Sequence, residues 1–377
     1  MKGTTVAPGA KATRKHDPMP LLGIDHLELY AGNAAQAAYY FKQAFGFQEV
    51  AYAGLESGVR DRVSHVLEQG QIRLVLSGTL HGHSEIAHHV AEHGDGVKVI
   101  ALAVPDAEHA YREAIRHGAR GVRDPWHVED EHGRVHMSTI ATYGETLHTF
   151  VERGDYAGPF LPGYGPALSE DGDDARLFAD IDHVVGNVEL GRMEEWVAYY
   201  QRVLGFTEMI HFSDEDISTE YSALMSKVVT DGEGRIKFPI NEPAEGRRKS
   251  QIEEYLEYYG GAGVQHVAFT SADIVGAVRT LRERGVRFIA TPESYYEELP
   301  ARVGELDGQV AELRELGILA DRDDEGYLLQ IFTKPIGDRP TLFIELIERH
   351  GARGFGAGNF KALFEAIERE QELRGTL

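Results

Sequence analysis

Two halves of this chain carry the same sequence pattern in the same order. Each half has a strand-like segment ending in an Asp-His pair, then a helical stretch with a Tyr-Tyr pair, then a Gly-Phe pair. In chain order, these segments are Gly23-Ile24-Asp25-His26, Tyr39-Tyr40, Gly46-Phe47, Ile181-Asp182-His183, Tyr199-Tyr200 and Gly205-Phe206. Because self-similarity at a fixed spacing is the signature of a duplicated structural unit, the chain is predicted to form two tandem domains of one kind.

A second pair of segments extends the repeat. Gly94-Asp95-Gly96-Val97-Lys98-Val99 corresponds to Gly261-Ala262-Gly263-Val264-Gln265-His266, and an aspartate that can cap a helix follows each of them, at Asp106 and Asp273. The rest of each half contains short runs of β-branched and aromatic residues, as expected of strands. The predicted unit is βαβββ. The predicted fold class is α+β, with each domain a curved, mostly antiparallel sheet.

The repeat and the local composition place the domain boundaries. Residues 1–20 are polar and without apolar periodicity, which predicts a disordered tail. The domains are predicted at 21–156 and 177–377, joined by a linker at 157–176 that is rich in Gly, Pro and Asp. The segment 295–316 is predicted as a helical excursion present only in the second half.

The end of the chain is predicted to be an amphipathic helix at 359–374. Four glycines precede or begin it, at Gly351, Gly354, Gly356 and Gly358. Because glycine permits backbone motion, we interpret this helix as a lid, in competition with the simpler interpretation of a helix that only covers a sheet.

Composition excludes several classes of protein. The sequence has no cysteine, so disulfides, thiolate metal sites and a cysteine nucleophile are excluded, and any metal must be held by nitrogen and oxygen. The formal net charge of −23 argues against binding to nucleic acid. No apolar run reaches the roughly 20 residues of a membrane span, and no signal peptide is recognisable, so we expect a cytoplasmic protein with no membrane partner.

Three residues in the second half suggest a metal centre. His183, His266 and Glu345 each lie in a predicted strand. Either histidine taken singly is more simply a buried core residue. Together, two imidazoles and one carboxylate can occupy one face of an octahedral Fe(II) and leave positions open for a chelating substrate and O2. They form the leading hypothesis for the site.

The first half lacks most of this set. His26 corresponds to His183, but Val99 stands where His266 does, and Thr149 or Phe150 stands in the region of Glu345. We therefore expect the first domain to be non-catalytic and His26 to be structural. The remaining histidines of this half, including His81, His83, His88 and His89, are expected to be solvated.

Several longer motifs resemble a known family. They are Glu189-Leu190-Gly191-Arg192-Met193, Pro239-Ile240-Asn241-Glu242-Pro243, Lys249-Ser250-Gln251-Ile252, Gly261 to His266, Gln330-Ile331-Phe332-Thr333-Lys334-Pro335 and Gly354-Phe355-Gly356-Ala357-Gly358-Asn359-Phe360. From about residue 20 to its end, the chain resembles the 4-hydroxyphenylpyruvate dioxygenases, two-domain members of the vicinal oxygen chelate superfamily. The resemblance implies two tandem vicinal oxygen chelate domains, with His183, His266 and Glu345 as ligands of Fe(II).

The resemblance also implies a reaction and a set of pocket residues. 4-Hydroxyphenylpyruvate and O2 would be converted to homogentisate and CO2, in tyrosine catabolism. The catalytic polar residues would be Gln251, Gln265 and Gln330, the last supporting the ligands. The substrate-binding residues would be Ser222, Asn241, Phe332, Phe343, Phe355, Asn359 and Phe360. Asn359 is equally well explained as the N-cap of the C-terminal helix.

Alternative functions remain open at this stage. A 4-hydroxymandelate synthase would use the same ligands and substrate but hydroxylate the benzylic carbon. A non-catalytic oxo-acid or metal-binding module is also possible, because vicinal oxygen chelate folds serve binding roles. Zinc hydrolase chemistry is a weaker rival, since no general base is evident near the ligands. The protein is expected to be a homo-oligomer.

Overall fold

The computed structural model describes residues 19–168, 176–212, 223–244, 246, 248–304, 306 and 309–376. The described chain forms two sheets of the same design, one in each half. The prediction of two tandem α+β domains is confirmed.

In the part of the chain that the structure describes, the N-terminal sheet has nine strands, with three α-helices and a short 3₁₀ helix at Leu55–Ser57. The strands are β1 (Gly23–Tyr30), β2 (Gln48–Ala53), β3 (Arg62–Gln69), β4 (Ile72–Thr79), β5 (Gly96–Ala103), β6 (Gly121–Asp130), β7 (Gly133–Ala141), β8 (Leu147–Glu152) and β9 (Gly165–Pro166). The helices are α1 (Ala34–Phe45), α2 (Glu85–His93) and α3 (Ala107–Arg116).

Among the described residues, the C-terminal sheet has eight strands. They are β10 (Ile181–Asn187), β11 (Thr207–Phe212), β12 (Ala223–Thr230), β13 (Lys237–Ala244), β14 (Gly263–Thr270), β15 (Leu319–Arg322), β16 (Tyr327–Phe332) and β17 (Phe343–His350). The helices of this half are α4 (Met193–Leu204), α5 (Gln251–Tyr259), α6 (Ile274–Glu283), α7 (Glu293–Val303), α8 (Val310–Leu316) and α9 (Ala357–Arg374).

The two sheets have the same topology. The strand order β2-β3-β4-β1-β5-β8-β7-β6 of the first corresponds to β11-β12-β13-β10-β14-β17-β16-β15 of the second. The parallel pairs also correspond, since β1 pairs with β4 and β5 with β8, as β10 does with β13 and β14 with β17. All other pairs are antiparallel. The duplication seen in the sequence is therefore a duplication of the whole sheet.

Local sequence signals explain where the repeated helices begin and end. The Asp106 and Asp273 side chains accept backbone N–H groups at the starts of α3 and α6, as predicted from their positions in the repeat. Helices α1 and α4 end at Gly46 and Gly205, which adopt the left-handed conformation at φ 77° and 70°. The predicted helical excursion is confirmed as α7 and α8.

The C-terminal helix begins slightly earlier than predicted, at Ala357, and runs to Arg374. Gly356 precedes it at φ 74°, and a Cβ there would lie 1.9 Å from the Gln330 side chain. Only glycine fits at this position, because the Gln330 side chain occupies the space of a Cβ and because φ is positive. The presence of glycine here is therefore explained without hinge motion. No described helix is both long enough and apolar enough to span a membrane.

Contacts between the halves involve aromatic and polar side chains. Phe47 packs against Phe269 with ring centroids 5.8 Å apart, and Tyr200 accepts or donates hydrogen bonds with His148 and Thr142 of the first half. Within the predicted linker, Gly165–Pro166 pairs with β2 as strand β9, so this part of it adds to the first sheet. Within the predicted tail, Met19 is buried, while residues 1–18 lie outside the described chain.

Candidate metal centre

The three candidate ligands lie on three adjacent strands of the second sheet. His183 on β10 is paired with Ala268 on β14, and Ala268 is paired with Glu345 on β17. His266 lies two residues before Ala268 on the same strand and thus on the same face. The register of the sheet therefore places two imidazoles and a carboxylate together although they are far apart in sequence.

The donor atoms converge. The His183 Nε2 atom lies 3.1 Å from Glu345 Oε2, and His266 Nε2 lies 3.2 Å from the same oxygen. All three side chains are buried. Two imidazole nitrogens and one carboxylate oxygen form the donor set of a facial triad for non-haem Fe(II), so the residues present fit such an ion.

Neighbouring side chains fix the orientation of each donor. His183 Nδ1 is 2.7 Å from Asp182 Oδ1, and His266 Nδ1 is 2.9 Å from Gln265 Oε1. Since both partners are acceptors in this arrangement, Nδ1 carries the proton and Nε2 keeps its lone pair for a metal. The Gln330 amide donates to Glu345 Oε1 at 3.1 Å, which leaves Oε2 facing the imidazoles.

An ion pair between Asp182 and Arg349 supports His183. Arg349 binds both oxygens of Asp182, with Nε to Oδ2 at 2.7 Å and Nη2 to Oδ1 at 2.8 Å. Burial would raise the pKa of Asp182, but the Arg349 guanidinium and His183 hold that pKa well below its ordinary value. The carboxylate thus stays ionised and holds the His183 ring in place.

The charges of the three ligands depend on one another. Burial would raise the pKa of Glu345, but the two imidazoles lower it to about 2, so the carboxylate is ionised at neutral pH. Burial would lower the pKa of His183, but the carboxylates of Glu345 and Asp182 raise it above its ordinary value. For His266 burial dominates and the pKa is lowered. A buried carboxylate facing two imidazoles provides a charged site for a cation.

A cavity of about 380 Å³, here called the metal-side cavity, opens beside His183 and His266. Its lining includes four of the predicted pocket residues, namely Asn241, Phe332, Phe355 and Phe360. Ser226, Leu363 and three further residues, Val185, Val228 and Pro239, complete it. It is a mainly apolar space with a few polar groups, as expected of a site for a small aromatic ligand.

Three other predicted residues line a different cavity. Gln251, Gln265 and Phe343 contribute to a space of about 430 Å³ beside α5, the α5-side cavity. Phe343 also stacks on the His266 ring, with centroids 4.7 Å apart, so it stands close to the metal centre. The structure therefore divides the predicted pocket residues between two spaces around His266. Ser222 lies outside the described residues.

Asn359 is part of a hydrogen-bond chain that reaches the metal centre. Its amide donates to Gln330 Oε1 at 2.8 Å, and its own oxygen accepts from Tyr295 and Arg302 at 2.5 and 3.1 Å. The N-cap of α9 is Gly356, with no side-chain cap. Of the two explanations for Asn359, the structure therefore supports the contact with the site: α9 is linked through Gln330 to Glu345.

The first half keeps the Asp–Arg pair that supports the first histidine, but it lacks two of the three ligands. Asp25 contacts His26 Nδ1 at 2.6 Å and binds Arg153 through both oxygens at 2.7 Å, as Asp182 does with His183 and Arg349. Phe160 packs on His26 as Phe355 packs on His183, with centroids 5.1 and 5.0 Å apart. The register of the first sheet places Val99 at the position of His266 and Thr149 at the position of Glu345. Of the three ligand positions, this half therefore keeps only the imidazole of His26.

Two supporting residues were missed in the sequence. Asp182 appeared only as part of a motif, and Arg349 was not identified. The signal was available, because Asp-His recurs at Asp25-His26 and Asp182-His183, and Glu-Arg recurs at Glu152-Arg153 and Glu348-Arg349. The expectation of solvated histidines was wrong for His89, which is 1% exposed where α2 packs against the rest of the chain, and also for His65, His93 and His148, which are buried.

Comparisons with known proteins agree with the two-domain design. Residues 16–159 match the family model described as "Hydroxyphenylpyruvate dioxygenase, HPPD, N-terminal". Residues 180–331 match the model of the Glyoxalase/Bleomycin resistance protein/Dioxygenase superfamily.

Relatives of similar length share almost half of the sequence. The 4-hydroxyphenylpyruvate dioxygenase of Xenopus tropicalis is 48% identical over 96% of this chain and 95% of its own length. That of Dictyostelium discoideum is 48% identical over 94% of this chain and 100% of its own. A solved structure of a mutant 4-hydroxymandelate synthase from Streptomyces coelicolor superposes with a TM-score of 0.85 at 34% identity, covering 94% of this chain and all of that one. The chain belongs to the 4-hydroxyphenylpyruvate dioxygenase family.

Proposed function

We propose that this protein is an Fe(II)-dependent dioxygenase that converts 4-hydroxyphenylpyruvate and O2 to homogentisate and CO2, with His183, His266 and Glu345 as the iron ligands. The observation that carries the proposal is the convergence of these three donors beside an aromatic cavity, in a chain of this family. The metal-side cavity is lined mainly by apolar and aromatic side chains with a few polar groups, a character that suits a phenyl ring with a short polar side chain.

Iron bound to this triad would offer open positions to the oxo-acid group of the substrate and to O2, and it would carry the oxidative chemistry. Loss of CO2 from the tethered oxo acid supplies the electrons, so no separate reductant is required. The protein itself has to hold the ligands, orient the ring and exclude water.

The ring is oriented by the aromatic wall. Phe332, Phe355 and Phe360 come from β16, from the connection after β17 and from α9, so they enclose the cavity from different sides. Phe332 and Phe355 are buried and each packs near a ligand imidazole, at centroid distances of 6.0 Å to His266 and 5.0 Å to His183. An aromatic ring held between such walls has little freedom to turn away from the metal.

The polar residues have two kinds of role. Asn241 lines the metal-side cavity and is suited to a hydrogen bond with the substrate. Gln265 holds His266 Nδ1 and Gln330 holds Glu345 Oε1, so both position ligands. Gln251 and Gln265 also line the α5-side cavity and would contact a substrate group that extends there. Helix α9, with Phe360 and Leu363 over the cavity, would limit the access of water.

Two alternatives are distinguishable by experiment. The structural similarity to a 4-hydroxymandelate synthase favours benzylic hydroxylation as the second candidate, and the product tells the two apart. A non-catalytic binding module would bind the oxo acid without consuming O2.

The iron site is tested with variants in both halves. His266→Ala and Glu345→Ala are expected to lose Fe(II) binding and O2 uptake, because a triad loses its geometry when one ligand is removed. The matched control is His26→Ala, which removes the corresponding imidazole of the half without the other ligands and should keep both properties. Loss of iron in His26→Ala with full activity in His266→Ala would refute the assignment.

A further inference from the structure

A second group of potential metal ligands lies in the first half, away from the site described above. His89 and His93 lie one turn apart on α2, and Glu145 lies in the turn between β7 and β8. Both histidines are buried, at 1% and 4% exposure, while the Glu145 side chain keeps 44%. Histidines at positions i and i+4 of a helix share one face and can bind one ion together.

The two donor separations that involve Glu145 match a tetrahedral site. One Glu145 oxygen, Oε2, lies 3.3 Å from His89 Nδ1 and 3.4 Å from His93 Nε2. In a tetrahedron with metal–ligand bonds of about 2.0–2.1 Å, two ligands are about 3.3–3.4 Å apart. The distances from Glu145 Oε2 to both imidazole nitrogens are therefore those expected of ligands of one ion.

The hydrogen bonding of His93 leaves a lone pair directed at the carboxylate. Its Nδ1 lies 2.6 Å from the backbone carbonyl oxygen of Tyr259, which can only accept, so Nδ1 carries the proton. In the neutral ring Nε2 is then an acceptor facing another acceptor, Glu145 Oε2, without a hydrogen bond. Buried polar atoms without partners are rare, and a cation between the acceptors would account for the arrangement around His93.

The position of Glu145 is fixed by tight packing. The preceding residue, Gly144, has φ +56°, and a Cβ there would lie 2.1 Å from the Ala262 carbonyl oxygen of the second half. The buried Tyr143 anchors the same turn. The backbone of this turn is therefore held in place, and the exposed side of the carboxylate leaves room for a water ligand.

Lys98 is the charged group that competes for this carboxylate. Its Nζ lies 3.1 Å from Glu145 Oε2 and 3.6 Å from Glu85 Oε1. When an ion occupies the site, Lys98 can remain paired with Glu85, so the ammonium need not be left without a counter-charge.

We propose that His89, His93 and Glu145 bind one Zn²⁺-like cation, with water as a fourth ligand. Two imidazole nitrogens and one carboxylate oxygen are donors that suit zinc, which is a divalent ion of borderline softness. It would connect α2 to the β7–β8 turn, and through the His93–Tyr259 hydrogen bond to α5 of the second half. The role is structural, and it is independent of the iron chemistry.

The test measures zinc bound to the full-length, metal-free protein after dialysis against buffered Zn²⁺. The parent is expected to bind two equivalents, His266→Ala one, and the double variant His266→Ala/Glu145→Gln none. His88→Ala is the matched control, since His88 is exposed on the same helix, and it should retain two. Glu145→Gln is chosen because it keeps the shape of the side chain while removing its charge, and because Lys98 keeps Glu85 as a partner. His93→Gln provides a second variant and should also lose one equivalent.

Further measurements on the His266→Ala background report on the nature of the second site. Zinc should raise the melting temperature of His266→Ala but not that of the double variant, and bound Co²⁺ should give the strong visible absorption of tetrahedral coordination. The proposal is overturned if His266→Ala binds no zinc, if Glu145→Gln keeps the second equivalent, or if His88→Ala loses it as readily, which would indicate adventitious binding to surface histidines.

Discussion

Replacing Asp182 with Asn should weaken both the fold and the metal centre, whereas the same change at Asp25 should weaken only the fold. The two aspartates are a matched pair, because each is buried, contacts the Nδ1 of the following histidine and binds an arginine through both oxygens. Only Asp182 supports a histidine that belongs to a complete triad.

The cost in stability follows from the ion pairs. Removing one charge of a buried pair leaves the other uncompensated and costs about 3–5 kcal/mol. Arg349 and Arg153 keep 17% and 24% side-chain exposure, so we expect each substitution to cost about 3 kcal/mol, at the lower end of that range. Unfolding of the metal-free proteins in urea measures this loss for Asp182→Asn and Asp25→Asn.

The two variants are expected to differ in their affinity for Fe(II). Loss of a group that holds a ligand histidine typically reduces metal affinity about 10–100-fold. We therefore expect Asp182→Asn to bind Fe(II) about 10–100-fold more weakly in an anaerobic titration, and Asp25→Asn to bind it as the parent does. Equal affinities in both variants, or a loss confined to Asp25→Asn, would refute the assignment of Asp182 as the support of a metal ligand.

Three further predictions concern the pocket, the C-terminal helix and the interface between the halves. Phe332→Ala should let the ring move away from the metal, so O2 uptake should persist while the yield of homogentisate falls; an equal loss of both with iron retained would contradict a role in ring placement. Truncation after Gly351 removes α9 and its Asn359–Gln330 hydrogen bond, and should give a folded, iron-binding protein with weak substrate binding, whereas unaltered binding and turnover would rule out a lid. His148 is fully buried and burial lowers its pKa from 6.5 to about 4, so the unfolded chain takes up the proton first and stability falls as the pH drops from about 6.5 towards 4. Between pH 7 and 5 this amounts to about 2 kcal/mol, so in urea unfolding the parent should lose about 2 kcal/mol more than His148→Gln over this range.

The fold could be predicted from the sequence because it is a duplication. The same signals occur in both halves: the Asp-His pair, the helix-capping aspartates and the glycines at helix ends. They predict the same structural unit in each half, and the identical strand order of the two sheets confirms this prediction. The three candidate ligands could also be proposed from the sequence, because comparison of the halves placed His266 opposite Val99 and Glu345 opposite Thr149 or Phe150.

The rest of the site depends on contacts between distant segments. Arg349 reaches Asp182 across the sheet, a contact that local patterns do not show. Asn359 could not be assigned as a cap or a site residue without knowing that α9 places it beside Gln330. His89 was expected to be solvated because it was assigned to a surface helix of the non-catalytic half, yet α2 packs against the turn at Glu145 and against α5. The division of the pocket residues between two cavities likewise follows from tertiary packing.

Identification of the aromatic product tests the central claim most directly. The metal-free full-length protein is reconstituted with Fe(II) without oxygen, supplied with 4-hydroxyphenylpyruvate and exposed to air, and the products are separated by chromatography and identified by mass spectrometry. We predict homogentisate, formed with one CO2 released and one O2 consumed for each substrate molecule. Formation of 4-hydroxymandelate, or binding of the oxo acid without uptake of O2, would contradict the proposed function.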